Sequence, residues 1–121
     1  MTTGPAQCTG PVTLPAMSDY VQVVTTTDSE ESAAALARGI VSAHLGACVQ
    51  VVPIRSFYVW DGAAQDDPEW QLQIKTSAER GEALVQHVEA EHPYDVPEVI
   101  VLPITSGSPE YLTWLDAQTR D

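Results

Sequence analysis

Seven side chains in this sequence carry groups that could do chemistry together: Tyr58, Trp60, Glu69, Lys75, His92, Tyr94 and Glu98. His92 sits in AEHPYDVPEVIVLPI (Ala90–Ile104), where a histidine, a tyrosine and acids surround two prolines ahead of an apolar run. An imidazole in that setting offers a metal ligand or a general base. Lys75 is the only lysine; among strand residues facing glutamates it reads as an ion-pair partner before a Schiff-base nucleophile. The aromatics offer either interface packing or a cage for a ligand. All seven fall on strand ends, a hairpin or the 92–98 turn, so they are expected to meet in a cleft between subunits. His92 also has a plainer role, because Pro93 disfavours a helical residue before it and so stops a helix there.

The elements that position these residues follow from periodicity. Tyr20–Thr26 (YVQVVTT) has the β-branched density of a first strand. Asp28 and Glu31 form a capping-box pattern, and Ala33, Leu36, Ala37, Ile40, Val41 and Leu45 repeat at helical spacing. Gly46 is expected to end that helix, with His44 packed in its last turn. Ala47–Trp60 is long and rich in Val, Ile and aromatics; Pro53 marks a bulge or an edge position within it. DGAAQDDPE then reads as a long turn, and WQLQIKT alternates Trp70, Leu72 and Ile74 against Gln71, Gln73 and Lys75. Thr76 and Glu79 suggest a second capping box for a helix with Leu84, Val85 and Val88 inside. Val96–Ile104 reads as a strand buried on both sides, and Ser108-Pro109 opens a short helix presenting Tyr111, Leu112 and Leu115.

The order is β-α-β-β-α-β with an added C-terminal helix. It predicts an α+β, ferredoxin-like sandwich with a long β2–β3 hairpin. Residues 1–17 lack periodicity and read as a disordered N-terminal extension, with residues 18–121 as the domain. Met17 is a second candidate start. The hairpin carries Phe57, Tyr58, Trp60 and Trp70 at or beyond the sheet edge, and long apolar edges do not stay bare in water. An obligate oligomer is therefore expected; a monomer whose own C-terminal helix covers the hairpin is the alternative.

Charge narrows the partners. Seventeen acids against five Lys and Arg give a net charge of -12 at pH 7, which repels nucleic acid and acidic membranes and attracts cations diffusely. No apolar run reaches the ~20 residues of a membrane helix. The two cysteines, Cys8 in the extension and Cys48 at the head of an apolar strand, do not read as a disulfide pair and suit a cytoplasmic protein. There is no Gly-rich phosphate loop, HExxH, CxxC or GxSxG. Phosphatase chemistry on this fold is expected to use an Arg with an Asn that orients water, and the chain has no asparagine.

Several stretches in register resemble one family. GACVQVVPIRSFYVWDG, EWQLQIKT, HPYDVPEVIVLPI and SPEYLTWL are similar to the CutA1 divalent-cation tolerance proteins over about residues 20–120. The resemblance implies a cytoplasmic homotrimer of ferredoxin-like subunits, related in shape to PII signalling proteins, with a copper association and no established reaction. It ties His92 to copper. Some members have a second histidine where this chain has Glu91, and some a cysteine where it has Thr25. His92 with Glu91 is thus expected to make a weak, exposed site for Cu(II) or another divalent cation, since imidazole and carboxylate suit such ions. Cys48 keeps the family cysteine as a core residue. Three readings stand: a non-catalytic metal-tolerance trimer; a PII-like sensor or scaffold taking a small ligand or protein partner through Tyr58, Trp60, Lys75, Tyr94 and Glu98; and a hydrolase with His92 as base beside Glu98 or Tyr94.

Overall fold

The computed structural model of the chain describes residues 19–120. The extension expected over residues 1–17 and the Cys8 thiol lie outside them. The elements are β1 (Tyr20–Thr27), α1 (Glu30–Ser42), β2 (Cys48–Trp60), β3 (Ala63–Ser77), α2 (Ala78–Glu91), β4 (Val99–Ile104) and α3 (Pro109–Gln118). The strands form one antiparallel sheet in the order β2-β3-β1-β4. This is the expected α+β arrangement, with β1 and the second half of β3 in the middle.

Alternation decides which residues enter the core. Val21 and Val23 of β1 and Leu72 and Ile74 of β3 point to one face. There they meet Ala33, Leu36 and Ile40 of α1 and Leu84 and Val88 of α2. The third helix lies against β3, its Leu115 fully buried. Cys48 is half-buried at the start of β2, not the core residue the apolar run suggested.

Four local expectations are corrected. Ser29, not Asp28, caps α1: its Oγ accepts from the Ser32 N–H at 3.0 Å, which spends the capping role one residue later. The helix closes in a Schellman arrangement, Leu45 N–H to Ile40 C=O and His44 N–H to Val41 C=O, with His44 in the left-handed region at φ 60. His44 thus holds the place expected of Gly46. Thr76 does not cap α2, since it is a strand residue aimed into the core; Ser77 stands at the cap without a side-chain bond. Finally, β4 begins at Val99 and is an edge strand, so Ile100, Val101 and Leu102 stay exposed on a single chain.

The hairpin is longer and tighter than its sequence suggested. Asp61 (φ 54) and Gly62 (φ 76) are both left-handed, which makes a two-residue turn of the type whose twist matches the flanking strands. Residues 63–69, expected in a long turn, are instead strand. The β2–β3 register runs unbroken from Cys48↔Lys75 to Trp60↔Ala63. Pro53 therefore needs no bulge; β2 is an edge strand, where a missing N–H costs nothing. Since β1 pairs only with Trp70–Ser77, residues 63–69 and their partners project as a two-stranded ribbon roughly 20 Å long.

Candidate functional site

Where the ribbon leaves the sheet, it faces the segment joining α2 to β4. Between them lies a cavity of about 550 Å3 lined by Thr26, Ser56, Phe57, Tyr58, Trp60, Glu69, Tyr94, Asp95, Val96 and Glu98. Ser56, Tyr58 and Trp60 alternate along one face of β2. Ile54 on that face is paired with Glu69 of β3, so Glu69 shares it.

His92 is the pin that holds the other wall. As expected it terminates α2, with extended backbone (ψ 139) ahead of Pro93. Its ring is buried, and Nε2 donates to the Thr26 carbonyl at 2.7 Å. That fixes the tautomer and leaves Nδ1 bare, where it accepts the Tyr94 N–H at 3.1 Å. The Tyr94 ring lies 4.8 Å from the imidazole, centroid to centroid. Both nitrogens are thereby committed to backbone, so a base or ligand role would require breaking one of these bonds. Glu91 is exposed on the last turn of α2 while the imidazole bonds inward.

Tyr94 then reaches across the cavity and donates its hydroxyl to Glu69 Oε2 at 2.8 Å. Glu69 is itself buried. Burial first, and the Glu69 carboxylate second, push the Tyr94 phenol well above the ordinary tyrosine range, so it stays a donor. On the ribbon, Tyr58 donates to Asp67 Oδ2 at 2.8 Å, and this bond is the main reason its phenol is raised too.

The structure therefore brings Tyr58, Trp60, Glu69, Tyr94 and Glu98 to one cavity, with His92 behind its wall. Lys75 is elsewhere: it pairs with Cys48 in register and bonds Gln50 on the neighbouring strand. Thr25 is fully buried with its hydroxyl unpartnered. Among the described residues, no three His, Cys, Asp or Glu side chains converge as a metal ion would need. Sequence reading missed Thr26, Ser56, Phe57, Asp95 and Val96 as lining. Ser56 was accessible through its alternation with Tyr58 and Trp60, whereas Thr26 had no signal.

Fold and motifs together decide the relationship. The family model for the CutA1 divalent ion tolerance protein matches residues 21–118. The chain belongs to that family. It is 48% identical over 110 residues to the chloroplastic protein CutA of Arabidopsis thaliana, covering 90% of this chain and 58% of that one. The chain spans about three fifths of the length of the plant relatives it matches. The CutA1 crystal structure from Oryza sativa superposes with a TM-score of 0.82 at 46% identity, over 86% of this chain and 96% of that one. The structure of the periplasmic divalent cation tolerance protein CutA from Archaeoglobus fulgidus superposes with a TM-score of 0.81 at 31% identity, over 84% of this chain and 99% of that one. Relatives thus include chloroplastic and periplasmic forms. No described helix of this CutA1 chain is long and apolar enough to cross a membrane.

Proposed function

We propose that this CutA1 chain is a non-catalytic, homotrimeric divalent-cation tolerance protein that holds metal ions weakly at the carboxylates of its cleft. The observation that carries this reading is the cleft's lining: Glu69 within, Asp95 and Glu98 exposed at its rim, and no Lys, Arg or His among the lining residues. Such a field attracts cations, while the scattered donors limit affinity. His92 and Glu91 contribute less than the sequence suggested, because the imidazole already bonds Thr26 and Tyr94. No reaction is needed to explain the site, since its only histidine neighbour is spent on structure. Cytoplasmic placement fits the free Cys48 thiol.

Titrating Cu(II) and Zn(II) calorimetrically tests the cation part. Wild type and His92→Ala are expected to bind alike, and Asp95→Asn/Glu98→Asn to bind several-fold more weakly. Loss of binding in His92→Ala alone would return the site to the imidazole. Light scattering is expected to give a mass near three times 13.1 kDa. A monomer would end the trimeric reading.

A second reading is favoured by the aromatic side of the same cleft: a PII-like sensor or scaffold that takes a small ligand through Tyr58, Trp60 and Tyr94. Nucleotides fit it poorly, because the charged groups lining it are all carboxylates, which repel a phosphate.

A further inference from the structure

The cleft's chemistry says more than that it is acidic. Its volume of about 550 Å3 is that of a small organic molecule, well beyond a single hydrated ion. Tyr58 and Trp60 share one face of β2 and line the ribbon side, with 42% and 57% of their surfaces exposed on a single chain. Glu69, Tyr94 and Glu98 supply the polar remainder.

The hydrogen bonds within the cleft then restrict the occupant. Tyr94 already donates to Glu69, so part of the acceptor capacity facing the cavity is used. A bare metal ion wants converging oxygens, and no three such ligands converge among the described residues, so a metal is held only weakly. A primary ammonium carries three N–H donors and wants an acceptor for each. A quaternary ammonium has no N–H to satisfy. It is held by aromatic faces and by nearby negative charge, which is the combination found here. The ribbon already shows the contact in miniature: the Arg55 guanidinium lies 4.9 Å from the Phe57 centroid, held there by Asp66.

We propose that the cleft between the β2–β3 ribbon and the 92–98 segment binds a quaternary ammonium ligand, its methylated head against Tyr58 and Trp60 and its charge facing Glu69 and Glu98. This rests on the small-ligand reading of the cleft given above.

Choline, dimethylbutanol (its neutral carbon isostere) and Zn(II) are titrated separately into the full chain in its assembled state, by calorimetry and tryptophan fluorescence. Choline is expected to bind at least tenfold more tightly than the isostere. Trp60→Leu and Tyr58→Leu are each expected to weaken choline on the order of tenfold while leaving Zn(II) binding unchanged. Both residues lie on the exposed ribbon, and light scattering with circular dichroism confirms that each variant keeps its assembly and fold. Equal binding of choline and isostere overturns the proposal, as does full affinity in both leucine variants. Zn(II) binding without choline binding overturns it while sparing the cation reading. No binding of either overturns both.

Discussion

The His92 imidazole joins two segments far apart in sequence, with Thr26 O on one nitrogen and the Tyr94 N–H on the other. His92→Ala leaves both backbone groups without this partner in a site too buried for easy hydration. The expected loss is about 2 kcal/mol, seen as a lower denaturant midpoint with unchanged slope. A ring that mainly served a metal would show little change without the metal. Tyr94 gives a second residue-scale expectation, in pH. Its phenol ionises above the value of 10.0 expected of an unperturbed tyrosine, through burial and then through Glu69. The folded state therefore keeps the proton after the unfolded state has lost it. The contribution is intact below about pH 10 and is lost as pH rises from there towards the folded value. Between pH 9 and pH 11 the wild type is expected to lose stability more steeply than Tyr94→Phe, measured by urea unfolding at each pH. Parallel losses would remove Tyr94 as a source of the alkaline sensitivity.

At the scale of elements, two glycines do different jobs. A Cβ at Gly46 would stand 2.7 Å from Ile74 Cγ2 and 2.9 Å from Ile40 Cγ2, so the bend after α1 passes directly over the core. Gly46→Ala is expected to cost about 1–3 kcal/mol through overpacking. Gly62 meets nothing within 4 Å, but its φ of +76 belongs to the left-handed region. Gly62→Ala is expected to cost about 1–2 kcal/mol through backbone strain alone. A repacked core substitution, Ile74→Leu, which removes the branch that carries Cγ2, should partly rescue the first and not the second; rescue of both would refute the distinction. These elements also show what the sequence made legible. Strand and helix order, the stop at His92 and the core faces of β1 and β3 followed from periodicity and proline chemistry. The turn did not, because Asp61-Gly62 was absorbed into a longer polar stretch whose residues 63–69 lack apolar alternation. They are strand because β2 offers them partners, which is tertiary information. In the same way, five of the seven residues singled out do line the cleft, but the commitment of His92 to two backbone groups depends on a contact with Thr26 that no local pattern encodes. Lys75 was misplaced because the strand period sets its face without saying how far along the hairpin the cleft lies.

For the whole molecule, much of the apolar surface left by one chain lies on the projecting ribbon and the β4 edge. Phe57 and Val59 on the ribbon are 68% and 74% exposed, and Ile100, Val101 and Leu102 on β4 are each more than 40% exposed. An edge strand of this composition presents unpaired backbone groups together with apolar side chains, a combination that another copy can satisfy. Ile100 and Leu102 pair with Val24 and Gln22 across the ladder and so share one face of β4. Substituting both with lysine should leave the core cluster untouched while placing two like charges on that face in every copy. Lysine also lowers the net charge of -12 in magnitude, so general acidic repulsion cannot explain any dissociation. Light scattering is expected to show the mass falling towards that of one chain, with far-ultraviolet circular dichroism unchanged. The midpoint of thermal unfolding should fall as well, and for wild type it should rise with protein concentration, because unfolding then includes loss of the neighbours. An assembly mass unaffected by the double substitution would show that this β4 face is open to solvent in the oligomer. The ribbon alone would then have to hold the copies together, and Val59→Lys would become the substitution that separates them.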